Sequence, residues 1–272
     1  MSRIKQTLAS LREQGRKALI PYLVAGDPGA EETIALMHQL VADGADIIEL
    51  GIPFSDPSSD GPVIQLGAER ALRKGTGLRH VLEMVTEFRK QDNSTPIVLM
   101  GYLNPLEAMG YETFVSRAKD AGVDGVLIVD MPVSEANELL PLCRESEIDV
   151  VFLVAPTTTE QRLGGICEHS SGYIYYVSLK GVTGAAISDH GDIEQRVAGL
   201  RGKTELPVVV GFGIKDADSA RAMAAISDGV IVGSALVDRI AALSSESDKQ
   251  PSYADCTALI AEIRAGLDQA AN

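Results

Sequence analysis

Short apolar runs rich in Val, Ile and Leu recur along the chain: ALIPYLVAG (18–26), DIIELGIP (46–53), PIVLMGY (96–102), GVLIVDMP (125–132), VVFLVAPT (150–157), YIYYVSL (173–179), PVVVGFGI (207–214) and GVIVGSAL (229–236). Most are continuous rather than alternating, as expected of parallel strands covered on both faces. Between them, segments such as EETIALMHQLVADG (31–44), VLEMVTEFRKQ (81–91) and YETFVSRAKDAG (111–122) space their apolar residues like amphipathic helices. The order is β then α, repeated. An internal echo supports it: ADGADIIELG, DAGVDGVLIVD and AISDGVIVGSA each pass from a helix end through Gly or Asp into a strand.

Eight such strands in about 250 residues match a (β/α)8 TIM barrel. A doubly wound sheet is the rival, but the turn after its first strand would carry G-x-G-x-x-G, and here it reads AGDPGAEE. No Pro/Ser-rich linker divides the chain, so residues 1–272 are expected to form a single domain. The first segment spaces Ile4, Leu8 and Leu11 as an extra N-terminal amphipathic helix; it and the last helix (253–268) are expected as additions that cover the barrel.

The run 46–53 carries a carboxylate in its apolar sequence. A period of two puts Ile48, Leu50 and Ile52 on one face and Ile47, Glu49 and Gly51 on the other. With the apolar face against the helices, Glu49 points into the barrel near the C-terminal end of its strand, where such barrels place reactive groups. Burial raises a carboxyl pKa, so Glu49 is a candidate general acid and base. A structural glutamate paired with a buried cation is the alternative. Asp56 in F-S-D-P and Asp60 in S-S-D-G-P also fit turn and helix-capping chemistry, and Asp130 at the end of GVLIVD fits a loop-fixing role.

Gly211 and Gly213 follow the seventh strand, and Gly233 and Ser234 the eighth, where backbone N–H groups of these barrels often hold phosphate. The alternative is tight turns alone. The glycine-rich stretch KGVTGAAISDHGD (180–192) is a candidate lid, and Tyr175 shares parity with Tyr173 and Val177. Lys180 and Lys215 raise Schiff-base chemistry as a rival, but Lys180 has the opposite parity to Tyr175. His38, His80 and His169 fall on helix-like segments and His190 on the candidate lid, which disfavours a zinc-dependent epimerase.

A net charge of −14 argues against nucleic acid and anionic membranes as partners. The cysteines, Cys143, Cys167 and Cys256, are odd in number and far apart, and read as thiols of a reducing compartment. With no signal-peptide or membrane-length apolar segment, the expected location is cytoplasmic.

The stretches IELGIPFSDP (48–57), DGP (60–62), MGYLNP (100–105), VSLKGVTGA (177–185), GFGI (211–214) and VGSA (232–235) together resemble the tryptophan synthase α subunit family, in order along nearly the whole chain. The resemblance implies retro-aldol cleavage of indole-3-glycerol phosphate to indole and glyceraldehyde 3-phosphate, without metal or organic cofactor. It implies Glu49 and Asp60 as the catalytic pair and Tyr175 as an assisting group. By the same resemblance Tyr22, Met100, Phe212 and Ile231 line the indole pocket, and Gly184, Gly213, Gly233 and Ser234 surround the phosphate. Thr183 becomes a lid residue near Asp60. The implied partner is a pyridoxal-phosphate β subunit in an α2β2 heterotetramer, which receives indole through a tunnel and faces Pro53, Asp56, Asn104 and Pro132. Two departures stand out. Ser58-Ser59 replaces an apolar residue and alanine, and Tyr22 replaces the usual phenylalanine.

Overall fold

The computed structural model describes residues 2–177, 190–211, 213–244 and 251–270. Its strands are β1 (Ala18–Val24), β2 (Ile48–Gly51), β3 (Ile97–Gly101), β4 (Gly125–Ile128), β5 (Asp149–Val150), β6 (Leu153–Val154), β7 (Ile174–Val177), β8 (Val208–Gly211) and β9 (Gly229–Val232). All pairings are parallel, in the order β5-β4-β3-β2-β1-β9-β8-β7-β6. The two edges of this order, β5 and β6, are separated only by Val151 and Phe152. The Val151 N–H donates to Val126 and the Phe152 carbonyl accepts from Tyr175, so one short segment joins both edges and closes the sheet on itself. The fifth apolar run is thus a strand in two halves. Its first half serves β4 and its second serves β7, which makes a (β/α)8 barrel of the eight expected positions.

Alternation along each strand sorts side chains into two apolar layers. Ile48, Leu50 and Ile52 join the layer beneath the helices, and Ile47 joins the barrel interior with Ile20, Val98, Leu127, Tyr173, Tyr175 and Ile231. The helix Arg3–Glu13 belongs to the interior layer too: Ile4, Leu8 and Leu11 are buried there, and it closes the N-terminal end as expected. Gly125 and Gly172 make room for it, since a Cβ on either would stand 2.9 or 3.2 Å from the Ile4 side chain.

The last helix, Tyr253–Ala270, departs from expectation. It buries Leu259, Ile260, Ile263 and Leu267 in the outer layer. There it packs on the helices Ala30–Ala42, Ala217–Ile226 and Ser234–Ala241. An apolar stripe of this width makes it a member of the ring rather than an addition over the barrel.

The sequence echo also has a physical cause. Asp46, Asp124 and Asp228 each stand just before a strand and accept an N–H from the start of a neighbouring one: Leu19 at 2.9 Å, Ile97 at 2.8 Å and Val208 at 2.8 Å. Each also meets an arginine, Arg264 at 3.1 Å, Arg89 at 2.7 Å and Arg201 at 2.8 Å respectively. The strand starts are pinned by paired charge.

Candidate active site

Glu49 stands beside Tyr22 of β1 and Val98 of β3 in register and is fully buried. No arginine or lysine approaches it among the described contacts. Its one hydrogen bond there comes from Tyr173, whose hydroxyl donates to Oε1 at 2.5 Å; Oε2 is buried with no partner among the described residues. Burial pushes the Glu49 carboxyl up to about 7, against the Tyr173 hydrogen bond, which favours the charged form. At neutral pH such a group is divided between its two protonation states, as an acid that must also act as a base requires.

Asp60 lies on the loop between β2 and the helix Pro62–Arg73. Its side chain does not cap that helix: the N-cap is Gly61, without a side-chain bond. The Asp60 carboxylate instead accepts from the Tyr102 hydroxyl at 3.0 Å, and that hydroxyl accepts the Ser59 N–H at 3.0 Å. The Gln65 amide donates to the Asp60 carbonyl at 2.8 Å, and the Tyr102 ring lies 5.3 Å from that of Phe54. The Ser58-Ser59 loop is therefore tied at Ser59. Burial raises Asp60 to about 6, opposed by Tyr102.

A cavity of about 300 Å³ opens at this end of the barrel, walled by Tyr22, Ile64, Met100, Tyr175 and Ile231 and lined also by Gly213, Gly233 and Ser234. Burial first, and then the charges of Asp60 and Glu49, hold the Tyr22 and Tyr175 hydroxyls well above the ordinary tyrosine value, so both stay protonated. The hydroxyls lie against bare backbone: a Cβ on Gly51 would fall 2.2 Å from the Tyr22 oxygen, and one on Gly211 2.2 Å from that of Tyr175. Gly213 has φ +77, a conformation that favours glycine. Gly233 is the N-cap of Ser234–Ala241, whose first N–H groups have no intrahelical partners, a geometry that suits an anion.

Of the residues expected at the site, Tyr22, Met100, Tyr175, Gly213, Ile231, Gly233 and Ser234 line this cavity, as does Lys215. Glu49 and Asp60 act electrostatically on its tyrosines. Thr183, Gly184, Phe212 and Lys180, with most of the 180–192 lid, lie outside the described residues; His190 already belongs to the helix His190–Arg201. Asp130 accepts the Leu103 N–H at 2.8 Å, the loop-fixing role. Asp56 and Asn104 are exposed beyond β2 and β3, and Pro132 follows β4, on neighbouring parts of one rim. Tyr173 and Tyr102 were not singled out from the sequence as partners of the two carboxylates. The parity shared with Tyr175 pointed at Tyr173, but no local pattern marks Tyr102 beyond its place after Met100. Among the described residues no group of three or more His, Cys, Asp or Glu side chains converges as a metal set.

Fold and site define a (β/α)8 barrel with two carboxyls, neither paired to a cation among the described residues, at the C-terminal mouth beside an apolar cavity. The family model for the tryptophan synthase alpha chain matches residues 8–265, and the chain belongs to that family. It is 59% identical over 272 residues to the tryptophan synthase alpha chain of Marinobacter nauticus, covering 100% of both chains. With that of Thioalkalivibrio sulfidiphilus it shares 54% over 268 residues, 98% of this chain and 100% of the relative. The crystal structure of tryptophan synthase subunit alpha from Legionella pneumophila str. Paris superposes with a TM-score of 0.90 at 41% identity, covering 99% of each chain.

Proposed function

We infer that the chain cleaves indole-3-glycerol phosphate to indole and glyceraldehyde 3-phosphate, a carbon–carbon lyase reaction, in partnership with a tryptophan synthase β subunit. Glu49 is assigned as the group that gives and takes the proton. In its neutral form it protonates indole C3, placing positive charge on the ring. As a carboxylate it then removes the proton of the adjacent side-chain hydroxyl; the carbon–carbon electron pair returns to the ring and the aldehyde is released. Asp60, ionised, accepts the indole N–H and stabilises the ring charge at the moment it forms. Tyr22, Met100, Tyr175 and Ile231 enclose the indole, Tyr175 assisting beside Glu49, and the phosphate binds to backbone around Gly213, Gly233 and Ser234.

The observation that carries these assignments is the fully buried Glu49, near pKa 7 and without a cation among the described residues. The rim with Pro53, Asp56, Asn104 and Pro132 faces the β subunit in an α2β2 assembly. The whole chain works as one domain, and in the cytoplasm; no helix among the described residues is long and apolar enough to cross a membrane.

The test is release of free indole from indole-3-glycerol phosphate by the purified chain, with and without β subunit. Glu49→Gln is expected to fold, to activate the β subunit, and to lose about 10³- to 10⁴-fold in cleavage. Unchanged cleavage would rule out the assignment.

A further inference from the structure

In the ring of strand positions β2 and β7 stand four places apart, on opposite walls, so the hydroxyl of Tyr173, the residue that leads into β7, meets Glu49 across the bore. Both residues are fully buried. The two carboxyl oxygens are in unlike positions: Oε1 accepts from Tyr173 at 2.5 Å, and Oε2 has no partner among the described residues. A neutral carboxyl carries one O–H. With a phenol already donating to Oε1, a proton on that oxygen would set two donors against each other.

We propose that Tyr173 is a positioning residue, which commits Oε1 of Glu49 as an acceptor and leaves Oε2 as the atom that delivers and recovers the proton. The inference rests on the assignment of Glu49 as acid and base. The steps balance on one oxygen: the Oε2 proton passes to indole C3, Oε1 stays bound to Tyr173 while Glu49 is a carboxylate, and Oε2 takes the side-chain hydroxyl proton as the carbon–carbon bond breaks. Glu49 ends neutral, as it began. Among the described residues the titratable groups coupled to it are Tyr22 from β1 and Tyr173 and Tyr175 from the β7 wall; Asp60, on the loop after β2, acts on Tyr22 and Tyr175. With no cation among them, the Tyr173 hydroxyl is the group that favours the ionised form.

The experiment uses the complex with β subunit and the pH dependence of cleavage, whose alkaline limb reports loss of the Glu49 proton. Tyr173→Phe removes only the hydroxyl. It is expected to lower kcat by about ten- to a hundredfold, leave KM unchanged and move the alkaline limb up by about one pH unit. Site-specific 3-fluorotyrosine at position 173, a stronger donor of nearly the same shape, is expected to move the limb down. An unmoved limb in the fluorinated protein overturns the proposal, whether or not the Phe variant folds, and so does a Phe variant that matches the parent in kcat and limb. Glu49→Gln separates the two levels: if it cleaves normally, the acid itself was misassigned, whereas an inactive Gln variant beside an unchanged Phe variant removes only the role of Tyr173.

Discussion

At the N-terminal ends of the strands Asp46 and Asp124 face arginines; at the mouth Glu49 and Asp60 face tyrosines, while Asp27, beyond β1, pairs with Arg70 at 2.7 Å. Asp124 takes Arg89 at 2.7 Å, Arg3 at 2.8 Å and the Ile97 N–H at 2.8 Å. Asp46 combines Arg264 and the Leu19 N–H in the same way, although burial still raises it above the ordinary carboxyl value. Among the described residues Glu49 and Asp60 each accept from one phenol. A phenol can steer a carboxyl without neutralising it, so charge at that end stays expensive and the proton stays exchangeable. The same chemical group is neutralised where an arginine meets it and left titratable where a phenol does, so the partner decides its state.

Removing a carboxylate from the anchoring end should cost stability and spare turnover. Asp124→Ala leaves Arg89 buried without its partner, and denaturant unfolding should show a loss of about 3–5 kcal/mol while cleavage per folded molecule is retained. At the other end the sign reverses. Because the folded pKa of Glu49, about 7, lies above its ordinary 4.5, folding favours the protonated form, and the stability present at low pH is lost as pH rises between those values. Glu49→Gln, which cannot ionise, should therefore exceed the parent by about 3 kcal/mol at pH 8 and by less than about 1 kcal/mol at pH 5. Urea titrations at both pH values measure this; equal stabilities would erase the contrast between the ends. Asp60→Asn keeps the acceptor for Tyr102 but loses the charge, so cleavage should fall about 10²- to 10³-fold with the melting temperature unchanged. The smallest effect belongs to Tyr102→Phe. It removes a donor from Asp60 and an acceptor from the Ser59 N–H, costs about 1 kcal/mol, and moves the acid limb of the cleavage profile to higher pH.

The eight apolar runs, the inward parity of Glu49 and the outward parity of Ile48, Leu50 and Ile52 were all legible, because strand periodicity is a local property. The break of the fifth run into β5 and β6 was not, since it arises from pairing with two different neighbours. Nor was the place of the last helix, which depends on which faces the other helices leave open. At the site the same division holds. The places of Gly213, Gly233 and Ser234 could be read from where strands end, but that Asp60 leaves the next helix uncapped turned on Tyr102, a residue 42 positions away. Likewise the partner of Glu49 comes from a wall of the barrel 124 positions along the chain.

That contact is a strut from wall to wall, so its length is set by the girth of the whole cylinder. A substitution at the split fifth strand, which belongs to neither wall, can widen or narrow the bore by a fraction of an ångström. The acid would then be retuned without any group at the mouth being touched, which gives distant packing residues a hand on the pH at which the enzyme works.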